Sequence, residues 1–149
     1  MGIKVGNAPV SWGIMEVEGW SGQKPYGAVL DEIKTAGYCG TELGPYGFFP
    51  IQPEELTQEL KARHFELVAA FVPVPPADPE KHEAGFQEAM TVARLLADAK
   101  APLINLADVM SAKRMAVAGR SVPSRDGLTQ IQWRGAASLL TRIAHAARR

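Results

Sequence analysis

Only one cysteine occurs in the chain, Cys39. An intrachain disulfide is therefore impossible, and so is a Cys-x-x-Cys redox or zinc pair. Charge of one sign is also lacking: 16 Lys and Arg face 16 Asp and Glu. A basic footprint for nucleic acid is absent, and so is an acidic tail. No apolar run approaches the roughly 18–20 residues of a membrane span. The start, Met1 to Asn7, has no apolar core of a secretory signal, and Gly6 stands where a myristoylation motif needs Ser or Thr. Two phosphate-binding patterns are missing as well. Neither GxGxxG after the first strand nor GxxxxGK[ST] is found, which argues against dinucleotide and P-loop chemistry. The expectation is a water-soluble chain in a reducing cytoplasm, with no membrane and no nucleic-acid partner.

What is present is a globular composition. Hydrophobic residues make up 46% of 149 positions and charged residues 21%, enough for one domain with a sizeable core. Residues 3–12, "IKVGNAPVSW", read as a first strand, with Pro9 marking an edge, a bulge or an end. A glycine-rich loop, Gly13 to Pro25, leads to a helix over Tyr26–Ala36, with Val29, Ile33 and Ala36 on one side and Gly37 as its stop. A second strand covers Thr41–Leu43. Pro53 opens a second helix with Glu54 and Glu55 in its first turn, Leu56 and Leu60 inward, and an end near His64. The apolar run Glu66–Val74 suits a strand of a parallel sheet. Asp78-Pro79 caps a third helix with a seam of Phe86, Met90, Ala93 and Ala97. Pro102–Val109 is a fourth strand. A loop of about eighteen residues follows. The last helix, Thr129–Ala147, carries Trp133, Ala137, Leu140, Ala144 and Ala147 in one stripe. The order β-α-β-α-β-α-β-α implies a parallel sheet, either doubly wound or part of a (β/α)8 barrel. The chain is too short for a complete barrel, which takes about 200–250 residues.

In either architecture chemistry gathers where strands end. The first strand offers Asn7, Ser11 and Trp12, the second Glu42, the fourth Asn105 and Asp108. Each also has a plain structural use. Glu42 can be an ion-paired surface residue, Trp12 core packing, Asn7 a bulge partner and Asp108 a loop cap. Gly44 and Gly47 after Glu42 let backbone and ligand approach closely. His64, His82 and His145 fall on helices, away from strand ends. Ser11 has no evident His partner for a nucleophilic triad. Lys113, Arg114, Arg120 and Arg125, against Asp126, give the loop after the fourth strand a positive balance, suited to a lid over an anionic or polyhydroxylated ligand or simply to solvent.

The motifs "NAPVSWG" and "AGYCGTELGPYGFFP" resemble the sugar phosphate isomerase/epimerase superfamily of xylose-isomerase-like TIM barrels, and within it the inosose dehydratases. The resemblance covers essentially the whole chain, more weakly after the third strand. It implies a parallel (βα)4 half of a TIM barrel, with residues 1–149 as the N-terminal half. It implies a sugar, polyol or inosose substrate and proton abstraction next to a carbonyl, assisted by a divalent metal (Mn, Co, Zn or Mg). In that family the metal ligands come from the second half, and no residue of this chain matches them. No metal is therefore expected here, and the chain alone is expected to be nearly inactive. Glu42, Asn7 and Trp12 match the family's first-half motif, which lines the substrate side of the pocket; Glu42 is expected to be catalytic, and Asn7, Trp12 and, from its place at a strand end, Asp108 to bind substrate. The competing reading is a non-catalytic half-barrel that self-associates or pairs with a second half, with Phe71 and Leu106 on the face it would bury.

Overall fold

The computed structural model describes residues 2–15, 24–123 and 127–148, without the side chains of Lys113 and Arg114. Strand β1 is Gly6–Asn7, β2 is Gly40–Glu42, β3 is Glu66–Val74 and β4 is Leu103–Asp108. They form one sheet in the order β1-β2-β3-β4, with parallel pairing of β1 to β2 and of β2 to β3. The order never reverses, so the doubly wound alternative is excluded. This is α/β architecture of the kind found in half of a (β/α)8 barrel. Helices α1 (Tyr26–Thr35), α2 (Pro53–Ala62), α3 (His82–Asp98), α4 (Ala112–Ala116) and α5 (Gln130–Ala147) fill the connections. The chain divides into two compact units, Met1–Val72 with Thr91–Asn105, and Pro73–Met90 with Leu106–Arg149. Among the described residues no helix is long and apolar enough to cross a membrane.

The first strand is much shorter than residues 3–12. Pro9 has no N–H to give to a ladder, and Pro9–Trp12 forms a 3-10 turn instead. Asn7 closes that turn: its Oδ1 accepts from Ala8 N and from Ser11 Oγ, both at 2.8 Å. Gly13, at φ +79°, ends it by donating to Val10 O.

Helices α1 and α2 lie close to their expected bounds. Gly37 takes φ +87° after α1, and Pro53, Glu54 and Glu55 open α2. Helix α3 begins later than expected. Asp78 makes no side-chain cap; its carboxylate pairs with Lys81 at 3.2 Å, and a 3-10 turn over Pro79–Lys81 precedes the helix. The buried positions of α3 are Ala89, Val92, Leu95 and Leu96, while Ala97 is exposed. Helix α5 shows the same offset. Ala136, Leu139 and Ile143 are buried, and Trp133 is 60% exposed. In both helices the inward stripe sits one residue, about 100°, away from the expected one. The apolar arc is broad in each, and periodicity alone does not choose which part of it turns inward.

Along β3, Ala70, Val72 and Val74 are buried while Phe71 between them is 39% exposed. One face of the strand is covered, and the other is open at Phe71.

Candidate functional site

Glu42 stands on the open face. Its register partner on β3 is Ala69, reached after an irregularity between Thr41 and Glu42. Ala69 shares its face with Phe71 by strand alternation. Ala69 is buried, and Glu42 is half-buried. Glu42 Oε1 accepts a hydrogen bond from Asn105 Nδ2 of β4 at 3.3 Å. Glu42 therefore meets a neutral amide, and it joins no ion pair among the described residues. Asn105 and Leu103 share a side of β4 by alternation, so Leu103, 60% exposed, lies on the open face and Leu106 on the other.

The neighbouring Thr41 is fully buried, and its hydroxyl donates to Glu42 O at 2.9 Å. Leu43 N donates to Ala69 O at 2.9 Å and holds the strand end. Gly44 follows at φ +68°, and a Cβ there would lie 2.9 Å from Pro9 Cγ. The glycine is explained by the buried Pro9 ring packed against it as well as by its left-handed backbone.

The other first-half residues do not gather at Glu42. Asn7 pairs in register with Thr41, so alternation puts it on the face opposite Glu42. Its Oδ1 is engaged in the 3-10 turn. Trp12 is half-buried and donates from Nε1 to Glu32 Oε2 at 2.7 Å, and Lys24 Nζ reaches the same carboxylate at 2.7 Å. The Lys24 hydrogen bond, then that of Trp12, holds the Glu32 carboxyl below the usual carboxylate range. Glu32 carries no signal in the sequence, because nothing local ties it to a tryptophan twenty positions earlier.

Asp108 ends β4 in the second unit. With Pro75, Asp78, Lys81, Ser111 and Gln132 it lines a cavity of about 290 Å³. Val109 N donates to Val74 O at 3.1 Å and closes the floor. Gln132 is fixed from both ends: its Nε2 donates to Ala77 O, and its Oε1 accepts from Thr129 N in a capping box. Of the charged loop beyond β4, Arg120 is exposed, while Arg125, Asp126 and the side chains of Lys113 and Arg114 lie outside the described residues.

With this geometry in hand, the curated relatives are informative. Part of the chain is similar to inosose dehydratases. A stretch of 65 residues is 40% identical to the inosose dehydratase of Lactiplantibacillus plantarum, and another of that length is 34% identical to the inosose dehydratase of Salmonella agona. A stretch of 71 residues is 35% identical to the rhizopine catabolism protein MocC of Rhizobium meliloti. Each match spans 44–48% of this chain and 21% of the relative, so the chain is roughly half as long as the proteins it matches. No family model matches it. Among the described residues no group of three or more His, Cys, Asp or Glu side chains could hold a metal ion. The described residues thus do not by themselves fit the divalent metal that the resemblance implies.

Proposed function

We propose that the chain supplies the Glu42-bearing part of a sugar- or polyol-modifying enzyme of the inosose dehydratase kind. The observation that carries this reading is the Glu42 carboxylate at a strand end on the open sheet face, held by the Asn105 amide. The partial similarity to two inosose dehydratases supports the substrate class. In this role Glu42 takes a proton from the carbon next to a substrate carbonyl, and Asn105 fixes the carboxylate's orientation. Trp12 and Asn7 act at a distance, by shaping the turn that seats Gly44. A cytoplasmic location belongs to the same proposal.

The reading is tested with a chimaera in which this chain replaces the matching part of the Lactiplantibacillus plantarum inosose dehydratase. Dehydration of inosose by the chimaera is the expected result. A folded chimaera without activity would contradict it.

A second reading has its own observation. Phe71 and Leu103 are large apolar residues on an open face, and no residue of β4 is fully buried. Such a face favours a half-barrel module that pairs with a second copy or a second half. The two readings are compatible if pairing completes the site.

A further inference from the structure

The stripe of α5 that periodicity singles out has no cover. Trp133, Ala137, Leu140, Ala144 and Ala147 are all exposed, Trp133 by 60% and Leu140 by 38%. The helix keeps a different arc for its own unit, where Ala136, Leu139 and Ile143 are buried. Spacings of 4, 3, 4 and 3 along the exposed stripe follow the heptad period, about 3.5 residues, by which one helix faces another. Apolar residues scattered singly over a surface need no explanation; a continuous seam does.

Charge narrows the choice of occupant. From Gln130 to Arg149 the sequence holds Arg134, Arg142, His145, Arg148 and Arg149, and no Asp or Glu. Arg142 is engaged within the unit: its Nη1 donates to Glu83 Oε2 at 2.7 Å, and its guanidinium lies over Phe86. Arg134 and Arg148 are exposed and, among the described residues, join no ion pair. At about 100° per residue both fall on one flank of the seam, with Thr141 between them. In a heptad these are the flanking positions whose charges select a partner. The helix is also fixed before any partner arrives. Thr129 and Gln132 form the capping box at its start, Gln132 Nε2 donates to Ala77 O at 3.2 Å, and a Cβ on Gly135 would lie 3.2 Å from His82 Cε1. A seam held in this way loses little freedom on binding.

From these features we infer that α5 is a docking surface for an amphipathic helix of another protein, one whose apolar seam is flanked by Asp or Glu. Two other occupants fit less well. In an antiparallel pair of α5 helices centred on Leu140, Arg134 would face Arg148 of the second copy, and like charges would meet on both sides of the axis. A membrane surface takes a broad apolar arc. Here much of that arc is buried in the unit, and the seam offers only Trp133 and Leu140 as large residues. The inference requires neither Glu42 nor the open sheet face, so its failure leaves both readings as they stand.

The test is fluorescence anisotropy of a dye-labelled synthetic peptide titrated with the full chain. One peptide of about four heptads carries Leu on its seam and Glu beside it; its twin has Lys in place of every Glu. The Glu peptide is expected to bind at about 10–100 μM, as suits a small interface, and the Lys peptide at least about tenfold more weakly. Leu140→Gln, at an exposed position, should weaken the Glu peptide by about fivefold or more. Arg134→Glu with Arg148→Glu should reverse the order of the two peptides. Circular dichroism checks that each variant folds, and should Leu140→Gln fail to do so, the charge reversal decides. No saturable binding, equal binding of both peptides, or an unreversed order in the folded double variant overturns the inference. So does a chain that ignores the Glu peptide but binds anionic lipid vesicles, or a second copy of itself, through Leu140.

Discussion

Replacing Gly40 by alanine tests how closely β2 and β3 approach beneath the site. A Cβ at this position would lie 2.8 Å from Glu66 O and 3.1 Å from Val68 Cγ1. The first neighbour is backbone and cannot rotate away. On the other side a Cβ added to Gly6 would lie 3.2 Å from Gly40 O, so β1 and β2 also approach closely. The strands must part by some tenths of an ångström, and the bond from Glu66 N to Cys39 O, 3.1 Å long, stretches first. Overpacking of this kind costs about 1–3 kcal/mol, offset by about 0.4–1 kcal/mol from stiffening the unfolded chain. A net loss near 1–2 kcal/mol lowers the melting temperature by about 2–8 °C at this chain length. Gly27→Ala in α1 is the internal control. Its Cβ would meet only Arg63 Nη2, at 3.9 Å, so the helix should gain about 0.5–1 kcal/mol. Thermal unfolding followed by circular dichroism measures both. If Gly40→Ala melts at or above the parent temperature, the close β2–β3 approach is refuted.

Acid titration of stability has a definite sign. Arg142, and after it Gln87, holds the Glu83 carboxyl below its usual value of 4.5. A depressed carboxylate contributes stability that is fully present above the unfolded-state value and lost as the pH falls through the folded one. Arg142→Met should therefore flatten the acid limb below about pH 4.5 in urea unfolding curves, and an unchanged limb would contradict the pair. The same variant removes a guanidinium stacked 3.7 Å over Phe86, a further loss of about 0.5–1 kcal/mol at neutral pH. Thr129→Ala removes the cap of α5 and should cost about 1 kcal/mol in chemical unfolding; no loss would mean that the capping box is dispensable. Sedimentation at micromolar concentration should show self-association that Phe71→Asp with Leu103→Lys reverses, and a monomeric parent would count against the open-face reading.

Much of the fold was legible because its signals are local. Proline at the start of α2, glycine after α1 and an unbroken apolar run for β3 each act within a few residues, and those elements lie within a few positions of where periodicity puts them. The misreadings are of another kind. Pro9 marks an interruption in the sequence, but the role of the Asn7 carboxamide in closing the 3-10 turn depends on atoms the sequence does not place. The inward faces of α3 and α5 are decided by what packs against them, and one residue of rotation exchanges Ala137 for Ala136. The site shows the same division. Glu42 stood out by its position at a strand end. Its partner Asn105 was visible only as one polar strand-end residue, because a contact across 63 positions needs the register of three strands. The tie between Trp12 and Glu32 had no signal at all.

The measurement closest to the functional proposal is steady-state kinetics of Glu42→Gln in the inosose dehydratase chimaera. Glutamine keeps the shape and the contact with Asn105 but cannot take up a proton as a carboxylate does. The expected outcome is a fall in kcat of about a hundredfold or more with KM little changed, and an unaltered melting temperature. An unchanged kcat in the folded variant would show that Glu42 is not the group that moves the proton.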